Sequence, residues 1–482
     1  MNKSIEQSAK CIDCQYRPAF HFTPPANWMN DPNGMFYYEG EYHLFYQYYP
    51  DSNVWGPMHW GHAISTDMMN WEHLPIALYP DSLGYIFSGS AVVDHENTSG
   101  LGSIENPPIV AIFTYHDMQA EKAGEVKHQT QAIAFSLDKG RTWEKYTGNP
   151  VLDNPGIWDF RDPKVSWYEQ DKKWIMTLAV KDHIRFYSSP NLIDWQLESE
   201  FGKELGAHGG VWECPDLLRL KDENGLSKWA LLVSINPGAP KGGSGTQYFI
   251  GSFNGKEFIP EDSTTKWLDF GADNYAGVTW SNLPNEEERT LFLGWMSNWE
   301  YAQVVPTYSW RSAMTLPRAL SLFEIEGRTF IKSSPTDEVN NYLIEQSEVS
   351  GTQNNIKDGL AYVLLTEVEG STAEIVLSNG VKEEFSIFIS LDEIRTDRSR
   401  SGQIDFNSEF GNIHSSKPTF SQINKIELFL DRSSVELFIN DGEMVITELV
   451  FPTQPYAKVG VLGADMKVMS VKAAMDNPNV SF

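Results

Sequence analysis

Short apolar or alternating runs, separated by polar turns, cover most of this chain. Residues 35–38 and 42–46 flank the turn 39–41, and residues 165–168 and 174–178 flank a second polar turn. Runs of this length, rich in aromatic and β-branched residues, predict β-strands. Up to residue 334 no segment keeps the 3.6-residue periodicity of a helix. The pattern therefore predicts an all-β fold.

A repeated motif divides the first two thirds of the chain. Residues 65–71 read Ser-Thr-Asp-Met-Met-Asn-Trp, and residues 189–195 read Ser-Pro-Asn-Leu-Ile-Asp-Trp. Residues 252–258 fit the same frame, and residues 136–143 fit it with an insertion. With the strand pattern, these copies mark five units that begin near residues 28, 85, 158, 211 and 272. We predict a five-bladed β-propeller over residues 16–334, after an N-terminal tail of residues 1–15.

The composition changes beyond the predicted propeller, where tryptophan is absent after Trp310. Residues 335–346 resemble a short capped helix and are predicted to be a linker. Alternating runs at 373–377, 385–389, 425–430, 434–439 and 444–450 predict strands, and Asn440-Asp441-Gly442 is a hairpin turn signal. We predict a β-sandwich over residues 347–482 that braces the propeller or mediates dimerisation, in a monomer or a homodimer.

The net charge of the chain limits the classes of partner and substrate that we expect. The 482-residue chain has a formal net charge of −28, which disfavours nucleic acid and anionic membranes as partners. The same charge weakly favours neutral substrates over phosphorylated ones. No run approaches 18 apolar residues and residues 1–10 are polar, so we expect a cytoplasmic protein, or a secreted one if a leader has been removed.

The cysteines predict neither a metal centre nor a disulfide framework. Cys11 and Cys14 form a C-x-x-C pair, but only Cys214 remains to complete a zinc site. His59 and His62 would lie on opposite faces of a strand, which disfavours a shared metal ion. We therefore expect no metal and no cofactor, and activity that survives EDTA.

Three acids occupy equivalent positions where predicted inner strands begin. They are Asp31 in Asn-Asp-Pro, Asp162 in Arg-Asp-Pro, and Glu213 in Trp-Glu-Cys-Pro. Because the first strand of each propeller blade lines the central axis, we expect these acids to converge in one funnel. Each alone could be an ordinary turn acid.

Converging carboxyls suit glycoside hydrolysis with retention, which needs a nucleophile and an acid/base flanking the bond. Three neighbouring carboxyls cannot all be charged cheaply, so one should hold a proton. Arg161 is expected to keep Asp162 ionised. Glu213, between Trp212 and Pro215, has the more apolar sequence setting and is the better candidate for the proton-carrying acid.

These blocks, together with Phe-Ser-Gly-Ser at 87–90, resemble the signature blocks of glycoside hydrolase family 32, which contains invertases, levanases and inulinases. The resemblance implies that Asp31 is the nucleophile, that Asp162 stabilises the transition state, and that Glu213 is the general acid/base. The positions that it implies for substrate binding are Trp28, Met29, Asn30, Gln47, Trp55, Phe87, Ser88, Arg161 and Trp295.

The expected activity is release of terminal β-D-fructofuranosyl units from levan, inulin, fructo-oligosaccharides and sucrose. Trp28, Trp55, Phe87 and Trp295 would wall in one furanose ring, so the site would admit a chain end and not a chain middle. The alternatives are a sucrose or sucrose-6-phosphate invertase, a fructosyltransferase, and a non-catalytic, lectin-like propeller.

Overall fold

A computed structural model describes residues 15–284, 289–344 and 352–473. It confirms the all-β prediction. Cys11 and Cys14 lie outside the described residues. No helix in the described ranges is long and apolar enough to cross a membrane.

In the first three sheets, strands that follow one another in the chain pair antiparallel. They comprise β1 (Asn27–Tyr38), β2 (Glu41–Tyr49), β3 (His59–Ser65) and β4 (Glu72–Leu78); β5 (Tyr85–Val93), β6 (Ile109–His116), β7 (Gln129–Ser136) and β8 (Glu144–Lys145); and β9 (Phe160–Tyr168), β10 (Lys173–Val180), β11 (His183–Ser189) and β12 (Gln196–Phe201). A short helix, α1 (Met118–Lys122), lies between β6 and β7.

Two further sheets complete this part of the molecule. The fourth comprises β13 (Val211–Lys221), β14 (Ser227–Asn236), β15 (Gly245–Phe253), β16 (Phe258–Pro260) and β17 (Lys266–Trp267). The chain continues with β18 (Tyr275–Thr279), β19 (Thr290–Met296), β20 (Trp310–Arg311), β21 (Ala313–Met314), β22 (Arg318–Ile325) and β23 (Arg328–Pro335). All of these belong to the fifth sheet except β20, which pairs in parallel with β1.

The five sheets pack on one another in sequence order, and the fifth packs on the first. Apolar clusters fill each junction, for example Trp60 against Phe113 between the first two sheets and Trp28 near Trp295 between the first and the last. The strands β1, β5, β9, β13 and β18 begin the five sheets and contact one another around the ring. Residues at the starts of these strands are thereby brought together.

The C-terminal part begins after α2 (Asp337–Asn340), which has Thr336 at its N-cap position. Its strands are β24 (Leu343–Ile344), β25 (Gln353–Asn355), β26 (Ala361–Thr366), β27 (Thr372–Ser378), β28 (Glu384–Ser390), β29 (Ile394–Arg400), β30 (Ile413–Ser416), β31 (Ile426–Asp431), β32 (Ser434–Ile439), β33 (Met444–Leu449), β34 (Lys458–Leu462) and β35 (Asp465–Val471). Short 3₁₀ turns span Glu369–Ser371 and Asn440–Gly442.

These strands form two six-stranded sheets, in the orders β24-β35-β26-β31-β32-β33 and β25-β34-β27-β28-β29-β30. Alternate side chains of both sheets, such as Ile375, Ile387 and Leu428, meet in one apolar core. Buried ion pairs join this part to the first. The imidazole of His21 lies 2.8 Å from carboxylate oxygens of both Asp431 and Glu436.

Candidate active site

The three acids converge on one cleft of about 290 Å³, as the repeat predicted. Asp31 comes from β1, Asp162 from β9 and Glu213 from β13. The buried thiol of Cys214 links two of them, because its Sγ lies 3.6 Å from Asp31 Oδ2 and 3.7 Å from Asp162 Oδ2. The hydroxyl of Tyr275 donates to Glu213 Oε2. The fold therefore brings side chains from strands far apart in the sequence into one network of contacts.

Backbone irregularities aim these side chains into the cleft. Each of the five ring strands has a register shift against its neighbour near the cleft. Asp162 and Cys214 adopt positive φ angles of 64° and 45°, which L-residues rarely occupy. Bulges of this kind redirect side chains and are common beside active sites.

Both carboxylate oxygens of Asp31 are held by donors. Ser88 Oγ donates to Oδ2 at 2.7 Å, and Asn30 Nδ2 donates to Oδ1 at 2.9 Å. The indole N–H of Trp28 in turn fixes Asn30 Oδ1 at 2.7 Å. Burial, and then the charge of Glu213, raise the pKa of Asp31 in spite of these hydrogen bonds. The carboxylate is rigidly oriented in a setting that resists its charge.

The expectation that Arg161 would keep Asp162 ionised was wrong, because burial outweighs the charge of Arg161 and raises the pKa of Asp162. Its guanidinium donates to Glu213 Oε1 from Nη2 (2.9 Å) and Nε (3.2 Å), and to Asp159 Oδ1 from Nη1 (2.6 Å). Arg161 and Asp162 both line the cleft, but the guanidinium is hydrogen-bonded to Glu213 and Asp159. Glu213, expected in an apolar setting, instead has the cation beside it.

Asp162 is the most enclosed of the three acids, with 5% of the residue exposed. It accepts a hydrogen bond from the backbone N–H of Cys214 at 3.1 Å. Burial raises the pKa of Asp162 to about 7; the charge of Arg161 opposes this rise, and the charges of Glu213 and Asp31 add to it. Burial likewise raises the pKa of the Cys214 thiol, which therefore stays protonated.

The residues implied for substrate binding divide into two layers. Those that line the cleft are Asn30, Gln47, Trp55, Phe87, Ser88 and Arg161. Trp28, Met29 and Trp295 are fully buried behind this lining. Trp28 and Trp295 therefore do not wall in a ligand as expected; they pack on Trp299, at centroid distances of 5.7 and 5.0 Å, and Trp299 does line the cleft.

Gln47 offers an unused donor. Its Nε2 is buried and has no hydrogen-bond partner among the described residues. An unpaired buried amide is costly, and a ligand hydroxyl would satisfy it. The position of Gln47 in the lining thus fits a polar contact to a bound sugar.

Several lining residues were not anticipated from the sequence. These are His116, Glu121, Gln129, Asp159, Trp299 and Gln303. His116 stacks on Phe87 with ring centroids 4.2 Å apart, and its Nε2 lies 3.2 Å from Glu121 Oε2 on α1. Burial lowers the pKa of His116 to about 3, so the ring is neutral. The segment that carries α1 lies between strands and has no repeat signal, whereas Asp159 could have been noticed beside the Arg-Asp-Pro block.

The cleft is lined by many acidic side chains and few basic ones. Its lining contains five carboxylates, from Asp31, Glu121, Asp159, Asp162 and Glu213, and a single guanidinium from Arg161. Such a cleft repels phosphorylated ligands at close range. Within the described residues, no group of three His, Cys, Asp or Glu side chains is arranged to hold a metal ion.

Comparison with known proteins gives the same picture along most of the chain. The chain is 48% identical over 462 residues to "Levanase" of Bacillus subtilis (strain 168), covering 91% of this chain and 67% of the relative. The crystal structure of exo-inulinase from Aspergillus awamori superimposes with a TM-score of 0.88 at 35% identity, covering 96% and 99% of the two chains. The β-fructofuranosidase from Schwanniomyces occidentalis complexed with fructosyl-erythritol gives a TM-score of 0.84 at 31% identity, covering 96% and 98%.

Two family models divide the chain between them. The model of the glycosyl hydrolases family 32 N-terminal domain matches residues 21–334, which carry the cleft and its three acids. The model of the family's C-terminal domain matches residues 333–473, which form the two six-stranded sheets. The chain belongs to glycosyl hydrolase family 32.

Proposed function

We propose that this protein is a retaining β-fructofuranosidase that removes terminal fructosyl units from neutral fructans, levan, inulin and fructo-oligosaccharides, and also cleaves sucrose. The observation that carries the proposal is the convergence of Asp31, Asp162 and Glu213 in one cleft, in three different environments. Family membership and relatives named levanase and exo-inulinase support the substrate class.

Asp31 is the nucleophile in this proposal. Ser88 and Asn30 fix its carboxylate, so that it can attack the anomeric carbon without reorienting. Attack breaks the glycosidic bond and leaves a covalent fructosyl-enzyme ester. A water molecule then cleaves that ester, and the two inversions together retain the configuration of the released fructose.

Glu213 is the acid/base. It gives its proton to the leaving oxygen in the first step and takes one from the attacking water in the second. Arg161 and Tyr275 each donate to a different oxygen of this carboxyl and so fix its plane. Asp162 is a substrate-binding group that contacts ring hydroxyls and whose contacts strengthen in the transition state.

Exo action follows from the shape of the cleft. Trp55, Phe87 and Trp299 bound a cleft of about 290 Å³ within the mouth of the ring. A cleft bounded by these aromatic side chains favours the end of a chain. The five carboxylates of the lining argue against the sucrose-6-phosphate alternative, and the packing of the five sheets supports a five-bladed propeller as the scaffold.

The test is the product profile on levan, inulin, sucrose and sucrose 6-phosphate at low conversion. Fructose alone from the two polymers supports the proposal. A ladder of oligosaccharides would make the protein an endo enzyme, and cleavage confined to sucrose or its 6-phosphate would make it an invertase. Transfer products longer than the substrate would identify a fructosyltransferase, and polymer binding without products would identify a lectin.

A further inference from the structure

A second cleft, of about 460 Å³, lies at the opposite end of the same ring strands. β5 places Ser88 in the catalytic cleft and Val92 in the second one, and β9 likewise divides Asp162 from Ser166. Four residues of extended strand span about 13 Å. The two clefts therefore open on opposite sides of the ring.

Hydrogen-bonded side chains lie between the two clefts. Ser90 Oγ donates to the carbonyl of Pro163 at 2.9 Å and accepts from the N–H of Val165 at 2.9 Å. Lys164 Nζ donates to the carbonyl of Thr279 at 2.6 Å. This layer makes the second cleft a separate site, and not the floor of the catalytic one.

The walls of the second cleft are ordered by their own hydrogen bonds. Buried Asp94 accepts from the N–H and the hydroxyl of Thr98 at 2.9 and 3.0 Å. The same hydroxyl accepts from the indole of Trp174 at 2.8 Å, and His95 Nε2 lies 2.7 Å from Asn282 Oδ1. Three sheets contribute these residues, so the cleft is preformed and needs little ordering to bind a ligand.

The lining indicates the ligand chemistry. Trp167 is partly exposed in the cleft and packs edge-to-face on Trp174, with ring centroids 4.9 Å apart. The charged groups of the described lining are the carboxylates of Asp94, Glu96 and Glu169, of which Glu169 pairs with Lys172 outside the lining. An aromatic wall beside the polar side chains of Ser166 and Glu96 suits a neutral sugar, and the acids disfavour phosphate.

We propose that this second cleft binds an internal segment of a neutral oligosaccharide chain. The inference rests on the proposed function, because it takes the fructan polymer as the ligand. One molecule would then hold a polymer at both faces of the ring, which raises the effective concentration of chain ends near Asp31. Only a chain long enough to pass round the ring can occupy both sites.

The test uses the inactive Asp31→Asn protein in affinity electrophoresis with long-chain levan, with fructose added to fill the catalytic cleft. Trp167→Ala removes the aromatic wall, and Ser166→Tyr fills the cleft while the wall stays. Each is expected to weaken polymer binding about fivefold, the size of one aromatic contact. Trp195→Ala, at a half-buried tryptophan outside both clefts, is the matched control and should bind as the parent does.

Unchanged levan binding in both Trp167→Ala and Ser166→Tyr would overturn the second site. Binding of choline that is lost in Trp167→Ala, with levan binding unchanged, would overturn the sugar class in favour of a cationic ligand. Fructose release by the unmutated protein tests the proposed function separately. Normal release with unchanged polymer binding would reject the second site alone, whereas no release from any fructoside would reject the proposed function.

Discussion

The molecule contains two enclosed groups of carboxylates, which differ in the number of cations that contact them. In the catalytic cleft, Asp31, Asp162 and Glu213 share the single guanidinium of Arg161. Where the two parts of the chain meet, each of the acids Asp269, Asp431 and Glu436 has a cation in contact. Arg318 lies 3.0 Å from Asp269 and 2.6 Å from Glu436, and His21 touches both Glu436 and Asp431.

The pKa values of the acids in the cleft and at the junction differ with the cations that contact them. Burial acts to raise the pKa of Asp31, Asp162, Asp431 and Glu436. In the cleft it prevails, so the pKa of Asp31 is raised and that of Asp162 reaches about 7. At the junction, Arg318 and His21 overcome burial and lower the pKa of Glu436 to about 2, and His21 lowers that of Asp431. Burial alone therefore does not decide the charge of an enclosed acid.

A second cluster at the junction shows how far one cation reaches. Arg398 contacts Asp273 at 2.7 Å and Glu448 at 2.9 Å, and His414 adds a contact to Glu448 at 2.9 Å. Against burial, Arg398 and His414 lower the pKa of Glu448 to about 2, whereas burial and the charge of Glu448 leave the pKa of Asp273 raised despite Arg398. Two acids around one guanidinium are not equally stabilised.

The largest expected effect separates chemistry from folding. Asp31→Asn and Glu213→Gln should each lower kcat by at least about a thousandfold, because an amide neither attacks the anomeric carbon nor transfers the required proton. The midpoint of thermal unfolding should not fall, since both side chains face the cleft. Fructose release and circular dichroism on the same preparations measure the two effects.

Asp171→Asn is the matched control, at an aspartate that is 46% exposed and pairs with Lys173, and it should keep full activity. Retention of more than about 1% of kcat by Asp31→Asn would reject the covalent mechanism. Inversion of the anomeric configuration, seen by NMR of the first product, would reject it as well.

At the junction, we expect a substitution to lower stability and to leave activity nearly unchanged. Arg318→Leu leaves Asp269 and Glu436 enclosed without this cation, which should lower the free energy of unfolding by about 3–5 kcal/mol. Activity measured well below the unfolding midpoint should be nearly unchanged. Arg141→Leu, at an arginine that is 38% exposed and pairs with Glu41, should cost no more than about 1 kcal/mol. Equal costs for the two substitutions in denaturant unfolding would contradict the comparison.

Sequence predicted the convergence well because it depends on topology alone. Any acid at the start of a ring strand is brought to the axis, which is why Asp31, Asp162 and Glu213 could be grouped. The strands of the C-terminal part were also predictable, since their alternation is regular; the run at 434–439 is β32 to the residue. These features are encoded by local periodicity, which a single sequence displays directly.

The pairing of charges could not be predicted in the same way. Arg161 stands next to Asp162 in sequence but donates to Glu213, because the strand is irregular here, with a register shift and a positive φ at Asp162. Trp28 and Trp295 were expected in the lining and lie behind it, since burial depth depends on the packing of neighbouring sheets. Both outcomes depend on contacts between residues far apart in the chain, which local periodicity does not encode.

We expect Asp162 to lower the stability of the folded protein while it supports activity. Its pKa of about 7 lies above the ordinary value of 3.8, so the folded state loses stability as pH rises from about 4 to 7. Asp162→Asn removes that loss, and the variant should gain up to about 4 kcal/mol relative to the parent between pH 4 and pH 8. The same variant should lose most of its activity, because an amide makes weaker contacts with the sugar hydroxyls.

Urea unfolding of both proteins at pH 4, 6 and 8 measures this difference. A gain that does not depend on pH would mean that Asp162 is ionised throughout this pH range. Full activity in Asp162→Asn would remove Asp162 from the proposed site.

The smallest expected effect concerns the alkaline limit of the junction. Burial acts to lower the pKa of His21, but Asp431 and Glu436 raise it to about 9 from an ordinary 6.5. The stabilisation from its charge is therefore complete below about pH 6.5 and is lost as pH rises through about 9, a change of up to about 3 kcal/mol. His21→Gln should be less stable than the parent at pH 6 and should lack the decline between pH 6.5 and pH 9.

His208→Gln, at a partly exposed histidine that pairs with Asp182, should keep the decline of the parent. The activity profile gives the contrast, because it depends on Asp31, whose raised pKa makes activity fall on the acid side as the nucleophile takes up a proton. Lowering the pH should therefore reduce activity, whereas raising the pH removes the contribution of His21 to the stability of the junction. If His21→Gln shifted the acid limb of kcat/KM, the two groups of carboxylates would be coupled, and the separation argued from their contacts would not hold.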